Sequence, residues 1–218
     1  MKNSVKISIL TATMTVAMMF FGGCSKDDNG PSLVSGGFNG RITATVDPKE
    51  SDDVSGIKAV VPWNSPVIDK ANNLLLGEQM GDVVSYSNNK FTVNLLDPPP
   101  SNIELVDVKY AFENFWGGKG TLKFSNPDVL VTDVDFIAHT TGNNDGYFTG
   151  FFINASADKK TTCIYVYTES DVTVTGGSVT VSLKEGWNRL YYTEGADSKC
   201  TTKAPEGEMK WYYEVFPL

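Results

Sequence analysis

From Gly40 onward, apolar and polar residues trade places at every second position, and this alternation limits the folds open to the chain more than any other feature. Ile42, Ala44 and Val46 alternate with Arg41, Thr43 and Thr45, and Phe91, Val93 and Leu95 alternate with Thr92 and Asn94. Val134, Phe136 and Ala138 are opposed by Asp133 and Asp135 in the same way. A period of two lines one face of an extended strand, whereas a helix would need apolar residues three and four apart. The pattern continues through Ile164 and Val166, Val172 and Val174, and Val179, Val181 and Leu183. Helical periodicity is hard to find. The expectation is an all-β chain folded as an antiparallel β-sandwich.

Turn residues punctuate these strands. Asn88-Asn89 precedes the Phe91 run and tolerates positive φ, which predicts a hairpin from about Val83 to Leu95. Asn144-Asp145-Gly146 separates two further runs as a hairpin turn would, and Gly176-Gly177 and Glu185-Gly186 mark two more turns. Ile57 to Val61 makes a short apolar run ended by Pro62. The last run, "KWYYEVF", is aromatic on both faces and predicts a central or well-covered strand. Pro98, Pro99 and Pro100 cannot donate to a ladder, so the best boundary in the chain falls there.

The first residues read as an address. Lys2 and Lys6 are followed by an uncharged run from Ile7 to Phe21, then by Gly22, Gly23 and Cys24. That is a secretory signal layout, and the run is too short for a comfortable membrane span, which needs about 20 residues. The stretch Phe21-Gly22-Gly23-Cys24 resembles the lipobox of bacterial lipoproteins, with Phe21 where that family more often has Leu. The resemblance implies that Cys24 becomes the acylated first residue of the mature chain. The competing reading is an ordinary signal peptide followed by an incidental cysteine. Ser25-Lys26-Asp27-Asp28 resembles the export signal of Bacteroides-type lipoproteins destined for the outer face of the outer membrane. A solvated tether would carry such charges too. The polar, Gly- and Pro-containing segment 24–37 cannot bury enough apolar area to order itself, so it reads as a flexible leash.

Two further resemblances bear on the body. "GRITATVDP", "GIKAVV" and "NNKFTVNLLDPPPSNIELVDV" look like the small transthyretin-like sandwich of secreted Bacteroides-type proteins, over residues 38–106. "VTVSLKEGWNRLYYTEG" and "TTKAPEGEMKWYYEVF", with the leader, resemble a surface-exposed lipoprotein family of Bacteroides type. That family implies location and a β-sandwich but no chemistry. The expected organisation is a signal peptide at 1–23, a tether at 24–37, a transthyretin/immunoglobulin-like sandwich at 38–106 and a second β-sandwich at 107–218.

Charge and the reactive side chains narrow the function. Taking Lys2 and Lys6 from the 18 basic residues leaves 16 against 26 acidic, a mature net charge of −10. A chain of that sign repels phosphate backbones, which excludes a nucleic-acid partner. Cys163 and Cys200 remain once Cys24 carries lipid; they permit one disulfide, and a buried inert thiol at Cys163 is the competing reading. The one histidine, His139, has no Gly-x-Ser-x-Gly elbow to serve, so it reads as solvated or structurally bonded. A zinc site lacks ligands, and Asn143, Asn144 and Asp145 lack the full calcium loop, so no metal and no cofactor are expected. Asp133 and Asp135 have the spacing of paired carboxylates for glycoside cleavage, although a half-exposed strand is polar at every second residue anyway.

Aromatic residues are the surplus. Phe112, Phe115 and Trp116 precede "GGKG", and Trp187, Tyr191, Tyr192, Trp211, Tyr212 and Tyr213 crowd the C-terminal region. Flat rings stack on sugars and also fill β cores. Trp116, between Asn114 and Gly117-Gly118, reads as a loop contact residue, with Phe115 beside it. The sequence names no activity. It favours a non-enzymatic, lipid-anchored outer-membrane protein, facing the exterior, that binds a glycan or another envelope protein. A structural or adhesive subunit, and a hydrolase using Asp133 and Asp135, are the alternatives.

Overall fold

The computed structural model describes residues 38–64, 77–117, 121–141, 148–195 and 198–215, and the backbone of 67–68 and 74–75. In chain order the elements are β1 (Arg41–Thr45), β2 (Ala59–Trp63), β3 (Val67–Ile68), β4 (Leu74–Leu75), β5 (Val84–Ser85), β6 (Lys90–Asn94), β7 (Val106–Asp107) and a helix, α1 (Val108–Asn114). There follow β8 (Lys123–Phe124), β9 (Leu130–His139), β10 (Phe148–Ser156), β11 (Thr161–Thr168), β12 (Val172–Gly176), β13 (Val179–Leu183), β14 (Gly186–Thr193), β15 (Lys199–Thr201) and β16 (Met209–Val215). The fold is an all-β sandwich. One 12-stranded sheet dominates it, almost wholly antiparallel, with β13 and β15 as a parallel pair.

The alternation seen in the sequence is realised directly. β1 buries Ile42 and Ala44 and exposes Arg41, Thr43 and Thr45. It pairs with β6, whose Phe91 and Val93 face the same interior. The turn before β6 has Asn88 and Asn89 at φ 52° and 59°, the mirror-image turn that suits a twisted hairpin. β12 and β13 pair across Gly176 and Gly177, burying Val172, Val174, Val179, Val181 and Leu183.

Two cores lie on opposite faces of the sheet. The first, between the β1–β6 ribbon and the sheet, holds Ile42, Ala44, Phe91, Val93, Phe136, Phe152, Tyr165, Trp187, Trp211 and Tyr213. The second lies beneath α1, β12 and β13 and holds Phe112, Trp116, Ile164, Val166, Val174, Val181, Leu190 and Cys200. β11 is shared: Cys163, Tyr165 and Tyr167 enter the first core while Ile164 and Val166 enter the second. A strand with both faces covered should be apolar throughout, as "CIYVY" is.

This sharing revises the expected division near residue 106. Residues 38–106 do not close a sandwich of their own. β2 pairs with β9 from Ala59–His139 to Trp63–Asp135, and the first core is completed by residues of β9, β10, β11 and β16. A second revision concerns Pro62, which does not end its strand. β2 continues to Trp63, and the Pro62 carbonyl accepts the Met80 amide at 2.8 Å. A proline lacks a donor but keeps its acceptor, so the strand survives where no donor is required.

Candidate functional site

The Asp133–Asp135 strand brings two half-buried carboxylates next to two tryptophans. β9 alternates, so Asp133 and Asp135 point to the same side as Val131 and Ile137. Val131 belongs to the second core, and Ile137 to a separate apolar cluster with Phe151, Ile153, Ala155 and Tyr212. The two half-buried carboxylates therefore sit between two apolar patches. β2 accompanies β9 from Asp135 to His139 and β7 meets it at Leu130 and Val131, so neither strand runs beside Thr132 to Val134.

Each carboxylate has a tryptophan next to it. The Trp116 indole N–H donates to Asp133 Oδ2 at 3.2 Å. Trp63 lies directly across from Asp135 in the β2–β9 register. Its ring meets Phe148 edge to face at 5.5 Å, and Phe148 meets His139 in the same fashion at 5.2 Å. Phe148 is 44% exposed, and Trp63 is half-buried. Gly77 abuts the Trp63 indole so closely that a Cβ there would collide with the ring and with the Asn64 carbonyl. Glycine is required at this close approach.

The expected site residues fare unequally. Trp116 is only 2% exposed and packs edge to face on Phe112 at 5.3 Å, so it is a core residue and not a loop contact. Its backbone N–H still bonds the Ala111 carbonyl at 3.0 Å, because α1 extends the chain back into the second core before the glycines begin. Phe115 is half-buried, against Tyr110 at 5.6 Å. His139 is buried, and its Nδ1–H donates to the Thr141 carbonyl at 2.9 Å, a structural bond. Cys24 and Asn143, Asn144 and Asp145 lie outside the described residues. Among the described residues no cluster of three or more His, Cys, Asp or Glu is arranged to hold a metal ion.

Trp63 and Phe148 were not singled out by sequence. Trp63 follows the proline that ends the apolar run in the sequence, and Phe148 follows a turn of generic composition. The usable signal was the pairing of "AVVPW" with the acidic strand, which only register reveals.

Cys163 and Cys200 are both buried thiols, Cys163 in the first core and Cys200 in the second. They are on opposite faces of one sheet, so no disulfide joins them. Burial pushes the Cys200 thiol up to about 12. The thiolate is the reactive form, so native alkylation must wait for opening of the core. Iodoacetamide should modify neither thiol in the folded chain and both after denaturation, and reductant should leave the melting temperature unchanged. A melting temperature lowered by reductant would reinstate the disulfide.

Fold and site together define a class: an all-β sandwich with two cores sharing one sheet and an aromatic-acidic surface at the β2 and β9 strands. No family model matches the chain, and no curated protein or solved structure matches it either.

Proposed function

We propose that this chain is a lipid-anchored cell-envelope protein, outside the outer membrane, that binds a glycan or an envelope partner without catalysis. The anchoring half rests on the lipobox-like Phe21 to Cys24 segment and the polar leash that follows it. Among the described residues no helix is long and apolar enough to cross a membrane.

The binding half is carried by one observation, the Trp63–Phe148 ring pair beside Asp135. A flat apolar ring next to a hydrogen-bond acceptor matches a sugar, which presents C–H groups on its faces and hydroxyls around its edge. The acidic surroundings favour neutral glycans over uronate- or sulfate-bearing ones, since like charges oppose each other across an interface.

A panel of immobilised polysaccharides tests the reading on the full chain. Trp63→Ala and Phe148→Ala should each weaken binding about tenfold or more, a loss of about 1.4 kcal/mol, with the melting curve little changed for exposed Phe148. Binding that ignores both substitutions removes the site. Co-purification with proteins and no glycan retention would favour the structural or adhesive role. Turnover of a retained glycan, lost in Asp133→Asn and Asp135→Asn, would make those acids catalytic.

A further inference from the structure

The edge of β16 that faces away from β10 is paired, but not by a strand. The segment from Val46 to Asp52 runs along it as a strap. Val46 bridges Trp211 in parallel, and the Asp47 amide donates to the Trp211 carbonyl at 2.8 Å. The Asp52 amide donates to the Tyr213 carbonyl at 3.0 Å. Two donors on this edge reach side chains: Tyr213 N–H bonds Ser51 Oγ at 3.0 Å and Val215 N–H bonds Asp52 Oδ2 at 2.9 Å. Side-chain oxygens thus stand where a neighbouring strand would present carbonyls.

The strap is also held by charge. Asp47 Oδ2 accepts Lys210 Nζ at 3.1 Å. Lys159 Nζ bonds the Glu50 carbonyl at 3.3 Å and Glu214 Oε1 at 3.1 Å. An unprotected strand edge, with its row of backbone donors and acceptors, is a template for another chain.

The geometry points to a docking surface for a second copy of this chain, with strand β16 pairing antiparallel to itself about Tyr212, and to the strap as the element that keeps the surface closed. In that register Trp211 faces the copy's Tyr213, so the backbone groups now bonded to the strap exchange ladder bonds. Lys210 then lies directly opposite the copy's Glu214 on the same face, twice by symmetry, and opposite charges in directly facing positions favour that register. Sliding the pair so that it centres on Glu214 instead sets that carboxylate against its own copy. Opening the strap frees Lys210 from Asp47 and releases Lys159 from the Glu50 carbonyl; Lys159, on the β10–β11 turn, keeps its bond to Glu214, which the copy's Lys210 then shares.

Sedimentation of the full chain in detergent tests this. The unaltered chain should be monomeric, and Asp47→Ala/Ser51→Ala/Asp52→Ala should self-associate about tenfold or more strongly, as a dimer. Adding Lys210→Glu to that triple variant should abolish the dimer, and adding Lys210→Glu with Glu214→Lys should restore it. Asp52→Ala alone removes one surface acceptor, so it serves if the triple variant fails to fold: Val215 should then exchange its amide hydrogen faster and the dimer fraction should rise. A folded triple or single variant that stays monomeric at its solubility limit overturns the proposal. So does association that the charge exchange neither breaks nor restores.

Discussion

Trp211→Ala should destabilise the protein by about 3–5 kcal/mol and lower its melting temperature by about 10 °C or more. Trp211 is 1% exposed, and its ring is the hub of the first core. It meets Phe91 edge to face at 5.3 Å, Phe136 likewise at 5.4 Å, and lies parallel to Tyr165 at 6.3 Å. Those three partners come from β6, β9 and β11, so removing one ring loosens the ribbon and the sheet together. Domains of this size are stable by about 5–15 kcal/mol, so the loss is a large share of the whole. Among the described residues the Trp211 indole N–H has no hydrogen-bond partner, and neither does the amide of Asn154, which faces it in the β10–β16 register. The ring therefore contributes packing and not a hydrogen bond, and Trp211→Phe should cost only about 1–2 kcal/mol. Chemical denaturation of both variants checks the pair of values. A Phe variant as damaged as the Ala variant would show that the indole N–H matters after all.

Strand β16 is also where backbone sterics are least forgiving. Gly150 on β10 lies across from Val215, and a Cβ there would collide with the Glu214 carbonyl. The β9–β10 register shifts between Phe148 and Gly150. An irregularity of this kind re-aims a neighbouring side chain, and here the neighbour is the exposed Phe148 of the candidate site.

What the sequence discloses depends on how local the cause is. Alternation at Ile42, Ala44 and Val46, and at Val179, Val181 and Leu183, reports one buried face and needs no knowledge of the partner strand. Positive φ at Asn88 and Asn89 is equally local, being a property of those residues' side chains. Helix α1 escaped because seven residues carry too few turns to establish a period, although Val108, Ala111 and Phe112 have helical spacing. The shared sheet escaped for a different reason. Whether Cys163 and Cys200 face one core or two, and whether residues 38–106 close on themselves, depends on pairings between β2 and β9 and between β11 and β14, far apart in sequence. Trp116 failed for the same reason: two following glycines suggested a loop, but its environment is set by Phe112 and by Asp133. Of the candidate site, the acidic pair was legible from spacing, and its aromatic neighbour Trp63 was not.

On the proposed lipid-anchored reading, replacing Cys24 with serine should release the protein from the membrane almost completely. Serine cannot form the thioether that the lipobox-like segment implies, so neither acylation nor the cleavage coupled to it would follow. Each buried methylene contributes about 0.8 kcal/mol, one myristoyl chain binds only marginally, and stable anchoring takes more than one chain. Among the described residues no helix is long and apolar enough to act as a second anchor by spanning a membrane. The run from Ile7 to Phe21 is short for a span, and a net charge of −8 repels anionic headgroups where a polybasic patch would hold on. Fractionation with an alkaline membrane wash, followed by mass spectrometry of the N-terminal peptide, reads the outcome. Unaltered protein should pellet with an acylated Cys24, and Cys24→Ser should appear in the soluble fraction or as uncleaved precursor. A serine variant that still cleaves and still pellets would mean the body itself grips the envelope, and the aromatic surface at Trp63 and Phe148 would be the first place to look for that grip.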